Sequence, residues 1–290
     1  MFDDQGFFEQ ALYFSLGQEV PIISTKLIAA GNINQGVYLK SADRSYFLKV
    51  NFKESPDIFE KEASGLKLMA ENSPFKIPKV LNYGRIEDRN FLLMEWINST
   101  VAQSSYWIEL GIGLAEMHMA TRANFGLNTH NYISSIRLEN DDEDSWTDFF
   151  IKKRLELLIG RAYYEGLIDL DFLKKFQSIY PKIQDTFPKE KPALLHGDLW
   201  SGNIMKDEKG APVLIDPAVY FGHREMDLAF SKLFGGFDAQ FYDAYNEVFP
   251  LEPGFEDRVP IYNLYPLLVH LLLFGKAYLS GIERTIRRFL

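Results

Sequence analysis

Three side chains in one stretch of the sequence have the types and spacing to do chemistry together. Asp198 lies in Leu195-His196-Gly197-Asp198-Leu199-Trp200-Ser201-Gly202-Asn203-Ile204, Asn203 follows it by five positions, and Asp216 follows by eighteen in Val213-Leu214-Ile215-Asp216-Pro217. Phosphoryl transfer from ATP needs such a set. One carboxylate accepts the proton of the attacking hydroxyl and orients it, while an amide oxygen and a second carboxylate hold Mg²⁺ on the phosphates. Mg²⁺ is a hard cation that takes oxygen donors and needs few of them from protein. A single Asp or Asn in a loop is usually a turn former. Three at these offsets, each beside a short apolar run, point to catalysis. His196 reads as a brace for the loop rather than as a base.

The Asp-to-Asn interval matches the catalytic loop of protein kinases, with His-Gly-Asp in place of His-Arg-Asp and Asp-Pro-Ala in place of Asp-Phe-Gly. Such a site needs nucleotide contacts from elsewhere in the chain. Lys49 sits in the apolar run Tyr46-Phe47-Leu48-Lys49-Val50, and Phe59-Glu60-Lys61-Glu62-Ala63 follows on an expected helix. A strand Lys paired with a helix Glu orients phosphates in kinases; the helix pattern alone leaves Glu60 and Glu62 as competitors. Gly31-Asn32-Ile33-Asn34-Gln35-Gly36 joins two expected strands and could cover phosphates with backbone N–H groups, with Gly31, Asn34 and Gly36 as the candidates. Two glycines in a hairpin usually mean only a turn, but Lys49 downstream gives them weight. Met94, Glu95 and Trp96 close the apolar run Leu92 to Ile97, where adenine would meet main-chain groups.

The elements that must position these residues fall into two groups. Phe7 to Leu16 has the pattern of an amphipathic helix. Ile22 to Ala30, Val37 to Ser41 and Tyr46 to Asn51 read as strands, the last two joined by the turn Ala42-Asp43-Arg44. Pro56 to Ala70 reads as a helix, and Lys79 to Tyr83 and Asn90 to Trp96 as two more strands. From Ser104 onward the period is helical, with helices expected over Trp146 to Ile159, Asp171 to Ile183, Glu225 to Leu233, Ala239 to Phe249 and Ile261 to Leu279. The catalytic stretch interrupts this pattern with short strands and loops. The expectation is an α+β chain: a small antiparallel-sheet lobe with one main helix over residues 1–97, for nucleotide, and a larger, mostly helical lobe over 98–290, for catalysis and acceptor.

Composition sets outer limits. With 290 residues, 47% hydrophobic and 24% charged, the chain is long enough for a substantial core. A formal net charge of −9 disfavours nucleic acid as a partner. The absence of cysteine excludes disulfides, zinc thiolates and a cysteine nucleophile. Met1 to Gln10 carries acidic residues and no signal-peptide pattern. The apolar stretch Leu264 to Leu273 is interrupted by Pro266 and His270 and is too short to span a bilayer. No membrane association and a cytoplasmic location are the expectations.

Taken together, these motifs resemble the fructosamine kinase (ketosamine 3-kinase) family, a branch of the aminoglycoside-phosphotransferase-like, protein-kinase-like superfamily. The more specific matches are Trp200 within Asp198 to Asn203, the run Asp216 to Ala229, Leu233 to Phe237, Trp146 with Phe149-Phe150 and Arg154-Leu155, and Tyr262 to Leu268 with His270, Phe274 and Gly275. The resemblance implies a bilobal fold and transfer of the ATP γ-phosphate to the 3-hydroxyl of a ketoamine, either a small sugar-amine or a glycated lysine, and hence deglycation. Carried over, Asp198 is the proton acceptor, Asn203 and Asp216 hold Mg²⁺, Lys49 pairs with Glu62, Met94, Glu95 and Trp96 form the adenine side, and Trp200 forms an aromatic wall for the sugar-amine. Asp227 braces the catalytic loop, and His270, in an apolar helix, is a core residue with a second-choice role in lining the sugar pocket. The sequence departs from the family at Ala29-Ala30 before Gly31, at Asn32 where some members have cysteine, and at Ser134, Arg137 and Leu138 after Asn131-Tyr132-Ile133. Those departures bear on the choice of acceptor. A kinase of the same superfamily acting on an aminoglycoside, choline or another hydroxyl is the first alternative, and a non-catalytic nucleotide-binding scaffold the second. A protein kinase is disfavoured, since no Ala-Pro-Glu follows Asp216.

Overall fold

The computed structural model describes residues 4–30, 34–52 and 55–289. The chain divides into two compact units, Met1–Tyr106 with Ile204–Asp216, and Trp107–Asn203 with Pro217–Leu290.

The first unit opens with helix α1 (Gln5–Leu16), capped by the Asp4 side chain accepting from Phe7 N and ended by Gly17 at φ 70°. Strands β1 (Ser24–Ala30), β2 (Asn34–Lys40) and β3 (Ser45–Asn51) follow, then helix α2 (Ile58–Asn72), and then β4 (Val80–Ile86) and β5 (Arg89–Glu95). The five strands form one antiparallel sheet in the order β1-β2-β3-β5-β4. Helix α1 buries Phe7, Phe8, Ala11 and Leu12 in a core with Val37, Leu39, Leu48, Val50, Phe91 and Leu93 from the sheet. Alternation places Leu48 and Val50 on that face. Lys49 is also buried, an unusual state for a lysine. Helix α2 turns Phe59, Ala63, Leu66 and Met69 inward at helical spacing.

The second unit begins along helix α3 (Tyr106–His118). The short hairpin β6 (Asn131–Ile133) and β7 (Ile136–Leu138) follows, turning at Ser134 with φ 55°. Ser134, Arg137 and Leu138, three of the departures, therefore lie in this hairpin. The helix expected over Trp146 to Ile159 is present but not uniform. It starts as α4 (Trp146–Phe149), widens into a π-helical segment over Phe150–Glu156, and continues as α5 (Leu157–Tyr164). The wide turn brings Phe150, Arg154 and Leu155 into the interior. The helix expected over Asp171 to Ile183 is broken into α6 (Leu170–Gln177) and α7 (Tyr180–Ile183), and Pro181, which has no N–H to donate, lies in the first turn of α7, where none is needed.

Strand β8 (Ala193–Leu195) leads into the stretch that carries Asp198 and Asn203. The hairpin β9 (Ile204–Lys206) and β10 (Pro212–Leu214) then belongs to the first unit, held there by the bridge of Lys76 to Val213 and the ion pair of Lys76 with Glu208 at 2.9 Å. The chain re-enters the second unit at Pro217, and β11 (Tyr220–Gly222) pairs with β8, setting Tyr220 opposite Leu195. Helices α8 (Glu225–Leu233), α9 (Ala239–Val248), α10 (Phe255–Tyr262), α11 (Leu264–Phe274) and α12 (Leu279–Phe289) complete the unit. The single helix expected over Ile261 to Leu279 is thus divided at Asn263 and again at Gly275, whose φ of 86° ends α11. Helix α11 is buried against α5 and α12. No described helix is long and apolar enough to cross a membrane.

Candidate active site

In the first unit, β3 and α2 bring Lys49 to Glu62. Lys49 Nζ donates to Glu62 Oε1 at 2.7 Å and to Asp216 Oδ1 at 2.5 Å. Glu60 instead lies half-exposed beside Lys61, so the geometry selects Glu62. Burial alone would lower the Lys49 pKa, but the charges of Asp216 and Glu62 outweigh it and raise the ammonium above its ordinary value. Burial pushes Glu62 up; Lys49 opposes that shift and Asp216 adds to it. Asp216 itself has φ 54°, a left-handed backbone that non-glycine residues seldom adopt and that clusters at functional sites. Gly36 pairs with Lys49 across the β2–β3 ladder, so a bare backbone flanks the lysine. Asn34 accepts from Asn51 Nδ2 at 2.6 Å. Gly31, like Asn32, lies outside the described residues.

At the end of β5, Met94 is buried between Phe47 and Val80 on the neighbouring strands. Glu95 N donates to Lys79 O at 2.9 Å, while the Glu95 carboxylate accepts from Lys79 N at 3.0 Å. Trp96 packs edge-on to Tyr38 with centroids 4.6 Å apart, and its indole donates to Asn98.

In the second unit, the loop after β8 is held from beneath. The Asp227 carboxylate on α8 accepts from His196 N at 2.7 Å and Gly197 N at 2.9 Å. His118 Nε2 lies 3.2 Å from the same carboxylate, and its Nδ1 is 2.8 Å from the Tyr245 hydroxyl. His196 is fully buried, and its Nδ1 accepts from Asp198 N, which is bracing rather than proton transfer. Gly197, at φ 80°, has no room for a side chain, because a Cβ there would fall 2.1 Å from Ala218 O. Asn203 Nδ2 donates to both the backbone oxygen and the carboxylate Oδ2 of Asp198, at 2.8 Å each. That commits the amide nitrogen and leaves Asn203 Oδ1 as the donor atom suited to a hard cation. Among the described residues no group of three or more His, Asp or Glu gathers as a metal cluster. The Asn203 amide and the Asp216 carboxylate are each oxygen donors of the kind Mg²⁺ takes.

Trp200 is 38% exposed and meets Phe234 edge-on at 6.4 Å. Its ring lies so close over Gly202 that a Cβ there would come within 2.4 Å. His270 packs on Phe234 at 4.7 Å and Tyr278 at 5.0 Å, and its Nδ1 bonds Pro266 O at 2.7 Å. Burial lowers the His270 pKa, against the opposing hydrogen bond. Phe234 thus links Trp200 and His270 in one aromatic cluster. His118 and Tyr245 escaped the sequence reading. Their only signal is a histidine at the end of an apolar helix and a tyrosine far downstream, and nothing local pairs them.

The fold is that of the aminoglycoside-phosphotransferase-like kinases, related to protein kinases. A thermostable mutant of aminoglycoside phosphotransferase APH(4)-Ia, solved with AMP-PNP and hygromycin B, aligns with a TM-score of 0.65 at 16% identity, covering 96% of this chain and 97% of that one. Within that fold the chain belongs to the fructosamine kinase family, whose model matches residues 7–290. Among its relatives, a protein of Enterococcus faecium named as a probable ketoamine kinase is 38% identical over 94% of this chain and 95% of its own. The chloroplastic protein-ribulosamine 3-kinase of Oryza sativa subsp. japonica is 35% identical over 94% and 81%. A crystal structure from Haemophilus somnus 129PT, provisionally named fructosamine-3-kinase, aligns with a TM-score of 0.87 at 29% identity, covering 98% and 96%.

Proposed function

We propose that the protein transfers the γ-phosphate of ATP, in the presence of Mg²⁺, to the 3-hydroxyl of a ketoamine, either a small sugar-amine or a glycated lysine. Family membership supports the reaction class. The observation that carries the mechanism is the buried Lys49, paired at once with Glu62 and Asp216. A lysine kept charged in this way is a fixed cation for phosphate oxygens, with its position set by Glu62. Asp198 takes the proton of the acceptor hydroxyl as its oxygen bonds to the γ-phosphorus and the bond from that phosphorus to the bridging oxygen breaks, releasing ADP, with Asn203 Nδ2 fixing the carboxylate. Mg²⁺, when bound, neutralises phosphate charge, and Asp216 and Asn203 Oδ1 are the groups that would hold it. Gly31, Asn34 and Gly36 cover the phosphates, and Met94, Glu95 and Trp96 flank adenine. Trp200 offers a face to the sugar C–H surface or to the amine cation, with His270 behind it through Phe234.

The test is a panel of fructosyl-amines, ribulosyl-amines, choline and aminoglycosides, assayed with purified protein and Mg·ATP for ADP release and for the position of phosphate on the product. Turnover of a ketoamine with phosphate on its 3-hydroxyl is expected. Turnover confined to choline or an aminoglycoside would overturn the acceptor, and no turnover with any hydroxyl would overturn the kinase reading.

A further inference from the structure

Arg154 is fully buried, yet among the described residues no carboxylate lies within ion-pair distance of it. It projects inward from the π-helical segment. Its Nη1 donates to Glu139 O at 2.9 Å and Lys153 O at 3.1 Å, and its Nη2 to Asn140 Oδ1 at 2.6 Å. The guanidinium lies 4.2 Å from the centroid of Tyr220, 4.6 Å from Phe149 and 5.5 Å from Tyr265. Its Nε and the Tyr265 hydroxyl have no protein hydrogen-bond partner, while the Tyr220 hydroxyl interacts with the guanidinium itself. A buried cation without a counter-ion, amid unsatisfied polar atoms, is expensive. A folded protein keeps such a group only for a specific reason.

Two routes lead from this cation to the catalytic loop. Asn140 Nδ2 donates to Asn131 Oδ1 at 2.8 Å, and Asn131 Nδ2 donates to Val219 O at 2.7 Å. The second route is the Tyr220 ring itself, whose Cε1 stands 3.4 Å from where a Gly197 Cβ would be. Val219 and Tyr220 belong to the segment on which the loop rests. Ala218 N donates to His196 O at 2.9 Å, Ala218 O closes against Gly197, and Tyr220 is in register with Leu195. Asp227 grips the same loop through the amides of His196 and Gly197.

We propose that Arg154 is a positioning residue for phosphoryl transfer: through Asn140 and Asn131 on Val219, and through the face of Tyr220 on Gly197, it fixes the backbone that aims Asp198. Tyr265 belongs to the same pocket. Burial raises its hydroxyl pKa; Arg154 opposes the shift, while Tyr220, Asp198 and Asp227 add to it. The planar fork matters as much as the charge, since a lysine has no second nitrogen to reach both Asn140 and the Glu139 carbonyl.

The catalytic part of this proposal rests on the kinase reading; the loop-holding part does not, and the experiment separates them. Arg154→Met, Arg154→Lys, Asn131→Ala and the Arg154→Met/Asn131→Ala double variant are compared with the wild type. Amide hydrogen exchange over residues 195–199, without substrate, should speed up in each variant relative to exchange in α11. With the ketoamine that the wild type turns over, kcat should fall roughly 10- to 100-fold with KM for ATP and for the acceptor nearly unchanged. The double variant should lose little more than the worse single one, because both act on one chain of contacts. Asn131→Ala keeps the cation buried and serves if Arg154→Met does not fold. Unchanged exchange at 195–199 in a folded variant would overturn the proposal, as would an Arg154→Lys enzyme with wild-type kcat. A wild type that turns over no hydroxyl, with exchange responding as expected, would sink the kinase reading and leave Arg154 as the anchor of this loop.

Discussion

Asn203 Nδ2 bonds the backbone oxygen and the carboxylate of Asp198 together, at 2.8 Å each. The side chain proposed as proton acceptor is thereby tied to a proposed metal ligand five residues away. Asp198→Asn removes the proton acceptor while leaving an amide oxygen that can still accept from Asn203 Nδ2. It should abolish transfer, a loss of about 10²–10⁴-fold, while Mg·ATP binding stays close to wild type. Single-turnover kinetics and nucleotide titration check this, and near-normal turnover would refute the base assignment.

Lys49 is the shared partner of Glu62 and Asp216. Lys49→Met leaves two carboxylates facing one another, and the buried Glu62 should then take up a proton. Breaking a fully buried pair costs about 3–5 kcal/mol; the cost here should be smaller, because Asp216 is 43% exposed. Affinity for Mg·ATP should drop sharply with acceptor binding preserved. Asp216→Ala should show the same selectivity, and isothermal titration registering equal losses for nucleotide and acceptor would contradict the metal role.

Gly202→Ala would push a methyl group into the Trp200 ring, to within 2.4 Å. Because Trp200 is partly exposed, the ring should swing away at a stability cost of no more than about 1 kcal/mol. If Trp200 walls the acceptor site, KM for the ketoamine should rise several-fold while KM for ATP holds. Steady-state kinetics with each substrate varied in turn decide this, and an unaltered ketoamine KM would remove Trp200 from the site.

His223 stacks on Trp146 at 4.9 Å with rings 6° from parallel, and its Nδ1 lies 3.0 Å from the Tyr262 hydroxyl. Burial, then the charges of Arg258 and Arg224, lowers its pKa to about 3. The unfolded chain protonates this group near 6.5, and the folded protein does so only near 3. Stability from His223 is therefore complete above pH 6.5 and lost as the pH falls, by roughly 1.4 kcal/mol per pH unit. Chemical denaturation between pH 7 and 4 should show that slope reduced by about one proton in His223→Gln, and identical slopes would show that His223 does not carry the effect.

Local rules made much of this protein legible before folding. Short apolar runs set off by turns correspond to all five strands of the large sheet, and the Glu225 to Leu233 helix appears with its expected ends. The intervals from Asp198 to Asn203 and Asp216 marked the candidate site because a loop of fixed chemistry keeps its spacing along the chain. Helix interruptions were harder to see. The π turn at Phe150 and the breaks near Ile179, Asn263 and Gly275 fall inside apolar patterns whose period barely changes across them.

What only the tertiary structure decided is which distant groups meet. The choice of Glu62 over Glu60, the contact of Lys49 with Asp216 from 167 positions away, and the assignment of Ile204–Asp216 to the first unit depend on packing, not on sequence proximity. The same is true of His118, Asp227 and Tyr245, and of Arg154 with Asn140, Asn131 and Val219. Spacing reports periodicity within one element. Buried polar pairs are selected by the cost of leaving a charge or a donor unmatched in the interior, and that cost is defined only once separate elements have closed on one another.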